Sequence, residues 1–116
     1  MITPQLRFLL EDVRLYARES IDTVGGRTAD EVLSDRLREH AVLRTTQIVG
    51  EAAAQILKQR PAGFEGIELR EAVALRNMLV HGYAKIRMTA VIDIVANDLP
   101  RLVAAIDRLL TEGQST

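Results

Sequence analysis

Cysteine and tryptophan are both missing from this 116-residue chain, and their absence removes several chemistries before any motif is considered. Without cysteine there is no disulfide framework, no thiol nucleophile and no thiolate metal site. Two histidines, His40 and His81, are too few for a histidine-rich metal site within one chain. No metal and no cofactor are therefore expected. The aromatic residues, Phe8, Tyr16, Phe64 and Tyr83, are too sparse for the base-stacking platform that single-strand binders use. Charge of one sign is lacking too: 15 Lys and Arg face 16 Asp and Glu, so the chain has no global field to draw in polyanions. Any nucleic-acid binding must be local or shared between subunits. No apolar run approaches the roughly 18 residues of a membrane span, and the N-terminus lacks the apolar core of a signal peptide. The expectation is a soluble cytoplasmic protein with no membrane partner. With few prolines and no internal repeat, residues 1–116 read as a single domain long enough to bury a core.

What is present is helical periodicity. Thr3-Pro4 suits an N-cap and first helical position. Leu6, Leu9, Leu10, Val13, Tyr16, Ala17, Ile21 and Val24 then follow at three- and four-residue spacing, up to a stop at Gly25-Gly26. Thr28 and Glu31 make a capping box for a short helix through Leu33. A long helix is expected over 34–59, with Leu37, Ala41, Ile48, Ala52 and Ile56 on one face and Val42, Val49 and Ala53 widening it. Gly50 and the alanines between Ile48 and Ala54 are small enough for another helix to approach closely. Arg60-Pro61 ends that helix. The next is expected to start near Phe64, to carry Leu69, Ala72, Leu75, Leu79 and Val80, and to stop at Gly82. Asp98-Leu99-Pro100 interrupts the last pattern, Val91 to Leu110, where a kink or a restart capped by Asp98 is expected. No segment alternates with period two. The fold class is all-α: four main helices and one short one in an up-and-down bundle.

Arg76-Asn77-Met78-Leu79-Val80-His81-Gly82-Tyr83 gathers a cation, a carboxamide, an imidazole and a phenol. On an ideal helix, Asn77 and His81 share a stripe, with Arg70 near the same face, while Arg76 and His81 lie about 140° and about 7.5 Å apart. Arginine's length and a helix end at Gly82 would still let Arg76 and His81 converge on one phosphate. Such a set, without thiol or metal, suits cleavage of an RNA phosphodiester. His81 would move a proton to or from the ribose 2′-oxygen or the 5′-oxygen. Arg76 would grip the phosphate, with Arg70 as a second cation in reach. Asn77 would orient the imidazole or bond a phosphate oxygen. DNA, lacking the 2′-hydroxyl, would be inert. One such histidine is half of an acid/base pair, which argues for a homodimer with a shared cleft. His40 sits in a charged run and reads as a solvated surface residue.

Plainer readings cover the same residues. Arg76 pairing with Glu71 or Glu68 on its own helix, His81 capping a helix C-terminus and Tyr83 packing as a hydrogen-bonded aromatic would all be ordinary. Arg44 and Glu51, seven apart on the long helix, read as ordinary helix charges, with support of the site from behind as the alternative.

Three blocks, in order, resemble the HepT-like members of the HEPN superfamily. They are Asp35 through Ala53 with Arg44, Gly50 and Glu51; Arg76-Asn77-x-Leu79-Val80-His81-Gly82-Tyr83; and Asn97-Asp98-Leu99-Pro100 with Leu102. The likeness runs from about Asp30 to Leu110 and departs from the family at Gly63-Phe64 and Ile92, where members usually carry tryptophan. It implies a dimeric helical bundle and a metal-independent endoribonuclease acting as the toxin of a type VII-like toxin–antitoxin module. The implied antitoxin resembles MntA, a minimal nucleotidyltransferase that attaches AMP to the motif tyrosine, here Tyr83. Bulk and negative charge two residues from His81 would obstruct a phosphate site. The alternative is a non-catalytic helical module that binds a nucleotidyltransferase or a nucleotide through the same cationic pocket. A purely structural helical dimer is a third reading.

Overall fold

The computed structural model describes residues 2–59, 67–78 and 84–114, and these are helical without strands. Six helices follow in order: α1 (Pro4–Val24), α2 (Ala29–Leu33), α3 (Arg36–Gln59), α4 (Arg70–Met78), α5 (Ala84–Asn97) and α6 (Leu99–Gln114). The all-α bundle expected from periodicity is the architecture found.

Local signals set the first two helices. The Thr3 hydroxyl accepts from the Leu6 N–H at 3.1 Å, and Pro4 opens the first turn, where its missing N–H costs nothing. Gly25 ends α1 in the left-handed region, at φ 52°, and its N–H donates to the Ile21 carbonyl. This is the conformation that glycine adopts without a Cβ penalty. At α2 the capping box is reciprocal: Glu31 N–H to Thr28 Oγ1 at 3.2 Å, and Thr28 N–H to Glu31 Oε1 at 3.0 Å. Hydrogen bonding from Thr28, chiefly from its backbone N–H, holds the Glu31 carboxyl below its ordinary value of 4.5.

Helix α3 is central. It packs most extensively on α1 and then on α4, while α6 returns to cover α1. Of the expected positions Val42, Val49, Ala52, Ala53 and Ile56 are buried, and Thr45 and Thr46 join them, so the stripe is shifted toward the residues expected only to widen it. Leu37, expected in the core, is 83% exposed, and Ile48 is only partly buried. Two threonines take core positions because their hydroxyls are satisfied internally. Thr46 Oγ1 donates to the Val42 carbonyl at 2.6 Å, and Thr45 Oγ1 lies 2.9 Å from the Ala41 carbonyl and 2.7 Å from the buried Ser20 hydroxyl of α1. A buried hydroxyl with a partner avoids the desolvation cost of an unpaired one, so threonine there packs almost as an apolar residue.

The last pattern restarts rather than bends. Helix α5 stops at Asn97 and α6 begins at Leu99, with Pro100 in its first turn. The Asp98 carbonyl accepts from Leu102 N–H at 3.1 Å, but its carboxylate engages the Arg101 guanidinium at 3.0 Å rather than a backbone N–H. The bundle is closed across its first and last helices by Asp107, whose two oxygens take Arg14 at 3.0 Å and Arg18 at 2.8 Å. The core joins Leu6, Leu10 and Val13 of α1 to Leu75 of α4, Met88 and Val91 of α5, and Leu99 and Ile106 of α6.

Candidate functional site

Helix α4 carries the described part of the motif. The expected start near Phe64 lies outside the described residues, but Ile67 to Leu69 are not helical and α4 begins at Arg70. The Glu68 carboxylate accepts the Arg70 N–H at 2.9 Å and Leu69 O accepts from Val73 N–H at 2.9 Å, so side chain and backbone together open the helix. Ala72 and Leu75 are buried and anchor one face. His81, Gly82 and Tyr83, with the expected stop at Gly82, lie outside the described residues.

Arg76 faces α3. A Cβ built on Gly50 would lie 2.8 Å from the Arg76 nitrogen and 2.9 Å from its Cβ, and 3.2 Å from the Ala72 carbonyl oxygen. Only glycine lets the two backbones approach this closely, as the small-residue stretch led one to expect. The next residue of α3, Glu51, then meets the guanidinium: Arg76 Nη1 lies 3.7 Å from Glu51 Oε2. Pairing of Arg76 with Glu71 or Glu68 along its own helix is not what forms, since the partner comes from α3. Glu51 was visible in the sequence as a helix charge seven residues after Arg44, and its link to Arg76 was not. The adjoining Gly50 was the available signal.

Asn77, one residue on, turns elsewhere. It is exposed and lines a cleft of about 410 Å³ between α4 and α5, together with Ala74, Met78, Ile86, Arg87 and Ala90. Arg76 and Asn77 thus point to different neighbours, as their step of about 100° requires. Arg70 is exposed at the start of α4, two turns before Asn77. On the α3 side, Arg44, Gln47, Ile48, Glu51 and Gln55 line an open groove of about 350 Å³ with Leu9 and Asp12 of α1. Both Arg44 and Glu51 face this groove, and Glu51 alone is within ion-pair distance of Arg76. The Arg76 side chain is 37% exposed and that of Glu51 57%, so the pair stands at the surface.

Among the described residues no group of three or more histidine, aspartate or glutamate side chains is arranged to hold a metal ion. No described helix is long and apolar enough to cross a membrane.

The described residues form an all-α bundle with Arg76 held at the surface against α3, and comparison with known proteins supplies the family. Residues 13–109 match the family described as "Ribonuclease HepT-like", and the chain belongs to it. Similar proteins come from Methanocaldococcus jannaschii. "Putative RNase MJ0127" is 26% identical over 107 residues, covering 92% of this chain and 88% of that one. "Putative RNase MJ1380" is 28% identical over 97 residues, covering 84% and 89%. "Gamma-glutamylcyclotransferase and putative RNase MJ0434" is 23% identical over 107 residues, covering 92% of this chain and 46% of that protein. No solved structure matches. The family and these relatives agree with a ribonuclease.

Proposed function

We propose that this protein is a metal-independent endoribonuclease whose reacting groups are Arg76 and His81, assisted by Asn77 and Arg70. The observation that carries the reading is the attachment of Arg76 to α3, through the close approach at Gly50 and the Glu51 contact, in a chain of the HepT-like ribonuclease family. An arginine set this way, five residues before a histidine, suits the chemistry of the 2′-hydroxyl. The ribose 2′-oxygen attacks the adjacent phosphorus, its proton passing to a base. The bond to the 5′-oxygen breaks, and that oxygen takes a proton from an acid. The products are a 2′,3′-cyclic phosphate and a free 5′-hydroxyl. Arg76 neutralises charge on the non-bridging oxygens as the phosphorus becomes five-coordinate. His81 serves as one proton carrier, and a second copy in a symmetric homodimer provides the other.

The same reading makes the protein the toxin of a type VII-like toxin–antitoxin pair in the cytoplasm. An MntA-like nucleotidyltransferase would inactivate it by joining AMP to the Tyr83 hydroxyl. The added phosphate would repel the substrate's phosphates beside His81.

The test is expression of the full chain in bacteria beside Arg76→Ala and His81→Ala. Growth arrest with RNA ends bearing 2′,3′-cyclic phosphate is expected for the wild type alone, with activity retained in EDTA. A folded wild type that leaves RNA intact would overturn the nuclease reading. If the partner still binds and both substitutions weaken it, the non-catalytic module is correct. Co-expression with the nucleotidyltransferase should add whole AMP units to the intact mass, and Tyr83→Phe should abolish the increase.

A further inference from the structure

Glu51 and Arg76 come from different helices, and two independent features bring them together: the glycine gap at position 50 and the ion-pair contact one residue later. The contact is single. One guanidinium nitrogen, Nη1, lies 3.7 Å from one carboxylate oxygen, Oε2. Arginine has five N–H donors in a planar fork, so a single contact at Nη1 leaves the edge formed by Nε and Nη2 available for a second, bidentate partner. That edge matches two oxygens of a phosphate.

Both side chains are partly exposed, so the pair adds little to stability. Its effect is instead directional. A free arginine samples many rotamers and must be ordered when substrate binds, whereas a guanidinium drawn toward a fixed carboxylate by charge has part of that ordering already done. The carboxylate also opposes phosphate binding, because it places a negative charge beside the group that must receive one.

We propose that Glu51 is a positioning residue for Arg76, which orients the guanidinium for the RNA phosphate and at the same time weakens its grip on the ground-state substrate. The inference rests on the nuclease reading above and adds to it a residue with two opposed effects. A carboxylate that weakens substrate binding while improving orientation favours turnover over retention.

Two substitutions separate the effects. Glu51→Gln keeps the length and an acceptor oxygen but removes the charge. Glu51→Ala removes both. For cleavage of a short oligoribonucleotide by the full-length protein, Glu51→Gln lowers KM by roughly two- to fivefold with a small loss in kcat. Glu51→Ala lowers KM similarly and kcat by about tenfold. A fall in KM together with a fall in kcat is a signature that loss of packing would not give, and thermal melting of each variant checks the fold.

Binding of a 2′-O-methyl oligoribonucleotide, which cannot be cleaved, supplies a second readout. Glu51→Gln tightens it, Arg76→Ala weakens it, and the gain from Glu51→Gln shrinks in the Arg76→Ala background. An equal gain in both backgrounds, or unchanged kcat and KM in a folded Glu51→Ala protein, overturns the proposal. If the wild type cuts no RNA, the nuclease reading fails on its own, and the binding cycle still decides whether Glu51 and Arg76 act as a unit.

Discussion

Helices α1 and α4 are held by different kinds of information. Helix α1 runs for 21 residues between a threonine cap and a left-handed glycine, and it buries a stripe from Leu6 to Val24. Helix α4 has nine described residues, buries Ala72 and Leu75, and takes its first N–H partner from Glu68. An isolated helix of that length is marginal in water, so tertiary contact must stabilise it. The main contact is with α3, and its closest point is where Arg76 crosses Gly50. The scaffold helix is specified by its own sequence, whereas the helix bearing the motif is placed by a neighbour. Changes in α3 where it meets α4 should therefore alter chemistry more than stability, and changes in the buried stripe of α1 the reverse.

The strongest test of that contrast is in the core. Leu10 of α1 is fully buried, and Leu10→Ala should cost about 2–5 kcal/mol, read as a lower midpoint in urea, with any loss of activity following the folded fraction. Gly50→Ala should break the pattern. Its new methyl meets backbone, which cannot swing aside, so α4 must shift by some tenths of an ångström. The expected stability cost is about 1–3 kcal/mol, with RNA cleavage by the remaining folded protein reduced by more than tenfold. Equal specific activity per folded molecule would show that α4 does not depend on α3 for its position.

Smaller effects sharpen the comparison at the helix ends. Thr3→Ala removes the α1 cap and should cost about 1 kcal/mol without altering catalysis. The smallest effect concerns Glu31, whose folded-state pKa is depressed by hydrogen bonds from Thr28. A depressed carboxyl contributes stability above its ordinary value of 4.5 and loses that contribution as pH falls through the lower folded value. Glu31→Gln, which removes the ionisable carboxyl, should therefore flatten the acid limb of the stability–pH curve below about pH 4.5 and leave neutral-pH activity unchanged.

Much of the fold was legible because its signals are local. The cap at Thr3, the stop at Gly25-Gly26, the box at Thr28 and Glu31 and the break before Pro100 each depend on residues within four positions. Helix α3 exposes the limit of periodicity. Its residues support two overlapping stripes, and the one through Leu37 looks more apolar than the one through Thr45 and Thr46. Hydroxyl groups bonded back to their own helix reverse that order, a choice visible only when α1 is in place. The site was legible as a set of residue types. The partner of Arg76 was not, because periodicity looks along one helix for charges three or four positions away, and Glu51 lies across a gap between two. The shape of α4 likewise turned Arg76 toward Glu51 of α3 and Asn77 into the cleft against α5, which residue order alone could not do.

The double grip of Asp107 on Arg14 and Arg18 bears on how the chain folds. These contacts span 93 and 89 residues of sequence, among the longest loops the chain can close, whereas α1 and α3 meet across a short connection. Closing the long loop first would sacrifice the most entropy before other contacts offset it, so α6 should dock after α1 and α3 have paired. Asp107→Ala should then speed unfolding while leaving the refolding rate nearly unchanged, placing this clasp on the native side of the transition state.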